Sequence, residues 1–310
     1  FVGYDPEGYY MEFDLFRAHR IELAVLEVGL GGRLDAVNAW NAEVAIVTSV
    51  GTDHQNWLGP DREAIGREKA GIYRAGRCAI CGDPDPPASL LAHACGIGAR
   101  LLCLHHEFGF ERTESGWVWH HGRRMQAGLP IPAMRGDYQL NNAACALMAF
   151  DCLAERFPVT VADLRAGLTR TVLPGRFQTL PGRPLVVLDV AHNVEAAQAL
   201  ARTLAMQPVA GRTVAVVAML RDKPMVEVLR VLAPQIAGWY VAGLEGSRGA
   251  GADELLAALA HAGVGGNIHA HRDVGSAYAA AQAAVGIDDR IVVFGSFHTV
   301  GAILRAPLKS

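Results

Sequence analysis

Residues 26–71 read LEVGLGGRLDAVNAWNAEVAIVTSVGTDHQNWLGPDREAIGREKAG. Two apolar runs, Leu23–Val28 and Val44–Val50, each end in a turn of small residues that carries a reactive side chain. Short apolar runs bounded by such turns read as strands of a buried parallel sheet. Glu27 closes the first run, and Asp53 and His54 follow the second. In an open α/β sheet, ligands bind outside the carboxyl ends of the strands, so this segment sets an acid and an imidazole where a nucleotide-and-metal site is expected. Gly29-Leu-Gly-Gly32 lacks the G-x-G-x-x-G spacing, which disfavours an NAD-type oxidoreductase. No G-x-x-x-x-G-K-[ST] phosphate loop occurs in the 310 residues.

A chain of 310 residues exceeds the roughly 250–300 that one core serves, so two domains are expected. At 51% hydrophobic, 19% charged and a net charge of −3, the composition gives no electrostatic reason to expect nucleic acid or an anionic membrane as partner. No apolar run approaches the ~20 residues of a membrane span, and no basic-then-apolar signal peptide opens the sequence. Phe1-Val-Gly-Tyr-Asp-Pro6 lacks Met and enters mid-pattern, so further N-terminal sequence is expected before it. The six cysteines (78, 81, 95, 103, 145 and 152) read as reduced, mostly buried thiols of a cytoplasmic protein. Cys78-Ala-Ile-Cys81 matches C-x-x-C but has no second pair to complete a zinc site.

The first part alternates strand patterns (Leu23–Val28, Val44–Val50, Arg77–Ile80) with helical ones at about Arg62–Ala70 and Ser89–Ala94. From Leu101 to Met125 the texture turns aromatic around Ser115-Gly116, which reads as a hairpin. It carries His105-His106 and His120-His121, solvated histidines with no acidic partner fixed nearby in sequence. A long Ala-rich helix then opens after Arg135 and runs to about Arg156; Thr160 caps another at Val161–Leu168. Leu173–Gln178 and Pro181–Pro184 form a Pro/Gly-rich connector, dividing the chain into a domain over 1–176 and a second over 177–310.

Beyond the connector the βαβ rhythm is clear. Strands are expected at Leu185–Leu188, Thr213–Ala218, Gly238–Val241, Asn267–Ala270 and Arg290–Phe294. Helices are expected at about Glu195–Ala205, Pro224–Leu232, Ala252–Ala262 and Val274–Val285. This implies an α/β fold with a doubly wound, mostly parallel sheet. Asp189-Val-Ala-His-Asn193 ends the first of these strands, placing Asp189 and His192 beside a helix N-terminus that suits phosphate or ribose. Asn193 reads equally well as that helix's cap. Gly295-Ser-Phe-His-Thr299 and Met219-Leu-Arg-Asp-Lys223 add polar turns to the same rim, and a cleft between the domains is the expected site.

LEVGLGGRLDAVN, TSVGTDH…LG, REKAGI, NNAACAL, LPGRFQ, LDVAHN, MLRDK and GSFHTV occur here in an order that resembles the folylpolyglutamate synthase and dihydrofolate synthase family of Mur-type amide ligases. The resemblance runs from about Glu12 to Leu304 and is specific as a combination, although each motif alone is weak. It implies a partial Mur-ligase-type ATPase domain followed by a Rossmann-like C-terminal glutamate-ligase domain. It implies a ligase using ATP and Mg²⁺ to join L-glutamate to dihydropteroate and/or a tetrahydrofolate through an acyl phosphate; for the oligomeric state a monomer is the default expectation. By the same resemblance, Glu27 and His54 are the metal ligands, and Lys69 is a carbamylated lysine. Leu34, Asp35 and Ala36 match the pterin-contacting turn. Asn142 (or its neighbour Asn141), Arg176 and Asp189 match ATP contacts, with His192 in the same motif as Asp189. From residue chemistry alone, a histidine is an unusual magnesium ligand, Lys69 reads as a surface helix lysine, and Asp35 reads equally as a solvated loop charge.

The family's phosphate loop, its additional serine metal ligand and the N-terminal part of its folate pocket have no counterpart among these residues. Tyr138 stands where many relatives have His, and Val194 where Pro is frequent. Lacking the loop's backbone cradle and lysine, the chain by itself is expected to bind triphosphate poorly and to be inactive. Two other readings compete: a Mur-type ligase acting on a peptidoglycan or cyanophycin precursor, and a degenerate paralogue that binds nucleotide without catalysis. The LPGRFQ-to-LDVAHN spacing argues against the first. Retention of Glu27, His54, Lys69, Arg176 and Asp189 argues against the second.

Overall fold

The apolar runs of the first part form three parallel strands, β1 (Val44–Val47), β2 (Cys78–Cys81) and β3 (Arg100–Cys103), in the order β1-β2-β3. Register sets Val47 beside Cys81 and Cys81 beside Cys103, so the strands end together on one rim. Both sheet faces are covered, which is why the strands read as nearly continuous apolar runs. Ala45, Val47, Ala79 and Cys81 pack with Ile65 and Ala70 of helix Arg62–Ala70 and with Leu90 and Ala94 of helix Ala88–Gly96. Ile80 and Leu102 pack instead with Trp117, Trp119 and the Leu140–Met148 face of helix Tyr138–Cys152.

The structure, a computed structural model, describes residues 14–305. They fall into two units: one runs to Ile131 and resumes over Leu140–Leu168, and the other comprises Pro132–Gln139 and the chain from Thr169 onward. The expected strand at Leu23–Val28 is a correction. Among the described residues it joins no ladder, and it lies open to solvent, with Val25 91% exposed. Apolar character favours burial, but a strand exists only through a partner's hydrogen bonds, and the described neighbour of β1 is β2 alone. The aromatic segment also holds one strand more than a hairpin: β4 (Phe108–Thr113), β5 (Gly116–His121) and β6 (Arg124–Leu129) form an antiparallel sheet.

In the second unit β7 (Gln178–Leu180), β8 (Leu185–Leu188), β9 (Thr213–Val217), β10 (Gly238–Ala242), β11 (Ile268–His271) and β12 (Arg290–Phe294) pair in the order β11-β10-β9-β12-β8-β7. All neighbours are parallel except β7, which the proline-rich connector sequence concealed. Alternation along the strands sorts the core into two layers. Val187, Ala215, Val217, Val292 and Phe294 face helices Val194–Met206, Met225–Leu232 and Ala252–His261. Val186, Leu188, Val214, Val216 and Val293 face helices Val274–Ala284 and Phe297–Arg305. This is the doubly wound α/β architecture read from the sequence. Among the described residues no helix is long and apolar enough to cross a membrane.

One buried cation ties this sheet to a helix end. Arg290, 3% exposed at the start of β12, donates to the Thr213 hydroxyl and to the carbonyls of Leu204 and Gln207, where helix Val194–Met206 runs out of internal partners. Positive charge at a helix C-terminus is favourable, which offsets part of the cost of burying it. Arg290→Met strands those acceptors and is expected to cost about 3 kcal/mol, read as a lowered urea midpoint at unchanged slope.

Candidate functional site

The rim of the first unit is organised by a buried carboxylate. Asp83, 4% exposed just beyond β2, accepts the backbone N–H of Val50 at 2.7 Å and that of Asp85 at 2.9 Å. Arg62 donates to both Asp83 oxygens at 3.1 Å and, through Nε, to the Val50 carbonyl at 2.9 Å. The Thr48–His54 loop is thereby braced between two strand ends and the start of helix Arg62–Ala70. Motif reading missed this brace because its parts lie 12 to 33 residues apart.

His54 follows this brace in a left-handed backbone conformation (φ 58°), its N–H bonded to the Asp53 carboxylate at 2.8 Å. The Asp53 carboxylate also lies close enough to Lys69 to act on its charge. Lys69 sits half-buried in the last turn of helix Arg62–Ala70, where burial pushes its ammonium pKa below the ordinary lysine value and Asp53 pulls the other way. Asp53 thus acts on both His54 and Lys69, and Lys69 is not the surface lysine that its helix position suggested.

The glycine turn packs onto the same helix end. The Arg33 N–H donates to the Glu68 carbonyl at 2.8 Å, and its guanidinium grips the Glu68 carboxylate. A side chain at Gly32 would fall 2.9 Å from the Glu68 carbonyl oxygen and 3.0 Å from that of Lys69, so the close approach requires glycine. Asp35 is 6% exposed and turns inward, accepting N–H groups from Leu30 and Val37 at 3.0 Å each. It shapes the turn, while Leu34 projects from it, 75% exposed, and Ala36 opens the following short helix. Glu27 is exposed on the segment that forms no strand, and no contact ties it to His54 among the described residues.

Neither the C-x-x-C pair nor the paired histidines, read from the sequence as buried thiols and solvated side chains, makes a metal site among the described residues. Cys78 packs on one face of the sheet and Cys81 on the other, because residues three apart on a strand point oppositely. His121 does have an acidic partner, contrary to the sequence reading. Its Nδ1 lies 2.9 Å from Asp151, brought in from helix Tyr138–Cys152, and Arg124 shares that carboxylate. Among the described residues no three His, Cys, Asp or Glu side chains converge to hold a metal.

The second unit repeats the device of a buried carboxylate. Asp189, 7% exposed at the end of β8, accepts the N–H of Phe177 at 2.9 Å and of Ala191 at 2.8 Å. Burial raises its pKa, while those two bonds and the nearby Arg176 pull it down. Phe177 is thereby held at φ 45°, a costly backbone for a non-glycine residue. The Val190 N–H donates to the Gly175 carbonyl at 2.9 Å, and the Gln178 side chain accepts the Gly175 N–H at 3.0 Å. The Leu173–Gln178 connector is laced onto the strand end in this way. Tyr138 lies within range of both Asp189 and Arg176, its hydroxyl pKa raised chiefly by burial.

Arg176 projects from this laced loop with its Cζ 5.6 Å from the Phe297 ring. Among the described residues nothing accepts a hydrogen bond from its guanidinium, which suits an anionic ligand. The Nδ1–H of His192 donates to the Val190 carbonyl at 2.8 Å, which fixes the tautomer, and Asn193 caps the helix through the Ala196 N–H, as its alternative reading held. Asn142 lies in the first half of helix Tyr138–Cys152, half-buried.

Residues 175–297 match the family described as Mur ligase, glutamate ligase domain. The dihydrofolate synthase/folylpolyglutamate synthase of Escherichia coli K12 is 41% identical over 291 residues, covering 94% of this chain and 66% of that protein. E. coli FolC in complex with DHPP and ADP superposes with a TM-score of 0.87 at 41% identity, covering 94% of this chain and 67% of the other. A bifunctional folylpolyglutamate synthase/dihydrofolate synthase with Mn, AMPPNP and L-glutamate bound gives 0.87 at 40% identity, covering 96% and 70%. The chain thus spans about two thirds of the length of these relatives.

Gly175, on the loop that carries Arg176, has little room for a side chain. At φ +74° an added Cβ would meet Val190 Cγ1 at 2.8 Å and Val300 Cγ1 at 3.3 Å. Gly175→Ala is expected to cost about 1–2 kcal/mol of stability in chemical denaturation, from the left-handed backbone alone, and to loosen amide protection at Phe177.

Proposed function

The chain belongs to the dihydrofolate synthase/folylpolyglutamate synthase family of Mur-type ligases, and on that premise we propose that it serves ATP-dependent addition of L-glutamate to dihydropteroate, to tetrahydrofolate, or to both. In the reaction, a folate-precursor carboxylate attacks the γ-phosphorus of ATP, giving an acyl phosphate and ADP. The glutamate amine then attacks the acyl carbon, phosphate leaves, and an amide forms. A carboxylate is a poor electrophile, and phosphorylation gives it a good leaving group. The protein's part is positioning and charge neutralisation.

The observation that carries this reading is Arg176, an arginine with no hydrogen-bond acceptor among the described residues, on a loop fastened by the buried Asp189. We assign Arg176, Asp189 and Asn142 to ATP, with His192 beside Asp189. Arg176→Ala is expected to weaken ADP binding at least about ten-fold in calorimetric titration, the size of a lost charge-assisted pair. Unchanged affinity contradicts the assignment.

The divalent ion is Mg²⁺ in this proposal, held by Glu27 and His54. A carboxylate and an imidazole are a small donor set for a cation that prefers six oxygens, and such ions keep waters and substrate phosphates as remaining ligands. The ion when bound neutralises phosphate charge. A carbamate on Lys69 adds oxygen next to Asp53 and His54, and the lowered pKa of Lys69 favours it, because only the neutral amine attacks CO₂. At fixed dissolved CO₂, carbamate therefore increases as pH rises through that lowered value and is lost below it. A ¹³C carbamate resonance under labelled bicarbonate, absent in Lys69→Arg, is the expected signature. Leu34–Ala36 form the pterin-facing turn, and the inward Asp35 supports it through the backbone. Residues 1–176 make the partial ATP, metal and folate domain, 177–310 the glutamate-ligase domain, and the protein acts as a cytoplasmic monomer.

A further inference from the structure

Phe297 is hard to explain by packing. It opens helix Phe297–Arg305 just after β12, a helix whose core side is made by Thr299, Val300 and Ile303, at 0%, 3% and 4% exposed. Phe297 itself is 61% exposed. An amphipathic helix has no use for a large apolar ring on its open side.

The ring meets the guanidinium of Arg176, whose Cζ lies over it 5.6 Å from the centroid. A guanidinium offers two distinct surfaces: a flat face that stacks on aromatic rings, and an N–H edge that forks onto oxyanions. Stacking occupies the first and leaves the second, and among the described residues no acceptor takes that edge. Loop and ring are also parts of one packed body. Gly175 lies so close to Val300, in the first turn of the Phe297 helix, that a Cβ there would be 3.3 Å from it. Asp189 holds the backbone on the other side of Arg176, at Phe177.

We propose that Phe297 is a positioning residue, an aromatic platform that holds the Arg176 guanidinium flat with its N–H edge turned to the nucleotide phosphates. It rests on the assignment of Arg176 to ATP made above. The ring touches no reacting atom; it removes rotamers that Arg176 would otherwise lose on binding, and so lowers the cost of engaging phosphate.

The test combines two readouts on the intact chain: ¹⁵Nε relaxation of Arg176, which reports the order of its side chain, and ADP titration. In Phe297→Leu, which keeps the helix covered, Arg176 loses order and ADP binds about two- to five-fold more weakly, the range of an exposed cation–π contact. Phe297→Tyr and Phe297→Trp restore both, which a merely structural role would not require. Unchanged order and affinity in Phe297→Leu, with Arg176→Ala weakening ADP, overturns the platform and leaves the assignment of Arg176 standing. No effect of Arg176→Ala on ADP overturns the assignment and the platform with it.

Discussion

A carboxylate removed from water must have its charge answered by fixed dipoles, and Asp189 is answered by two backbone N–H groups from different segments. One belongs to the turn that leaves β8; the other belongs to Phe177, whose left-handed backbone would relax without it. This bond joins the connector to the sheet and so determines where Arg176 stands. The glutamate-ligase match begins at residue 175, on this same loop. Fastening an otherwise open loop in this way is what a phosphate contact needs, since a loosely held arginine must be ordered again each time ligand binds.

The first unit uses the same physics with different residues. Asp83, clamped by Arg62, holds the Val50 N–H and thus the loop that ends in Asp53 and His54. The glycine turn closes on the last turn of helix Arg62–Ala70, where Lys69 sits. In both units parallel strands end on a common rim. A buried aspartate just past a strand fixes the loop, and the polar groups beyond it are left to chemistry.

Most of the second unit was legible because its strands are buried on both faces and its helices are amphipathic, so period and run length agree. Leu185–Leu188 and Arg290–Phe294 have the bounds that the sequence reading gave them. β7 was not legible, since Gln178–Leu180 lies between two Pro/Gly turns and gains strand character only by pairing with β8. Leu23–Val28 failed for the opposite reason: its composition is that of a strand, but pairing is not a local property. The candidate site residues stood in recognisable motifs. The groups that hold them did not: Asp83 with Arg62, Asp151 with His121, and Phe297 with Arg176 are contacts across 21, 30 and 121 positions that no spacing rule anticipates.

In the proposed arrangement the laced loop presents Arg176, with its guanidinium over Phe297, to nucleotide phosphate. A crystal structure of the chain with ADP and Mn²⁺ is the decisive experiment. A phosphate oxygen is expected within hydrogen-bond distance of the Arg176 guanidinium, with Asp189 still bonded to the Phe177 N–H and the Phe297 ring still beside the arginine. Nucleotide bound with Arg176 turned away from it, or with the Asp189–Phe177 bond broken, overturns that arrangement.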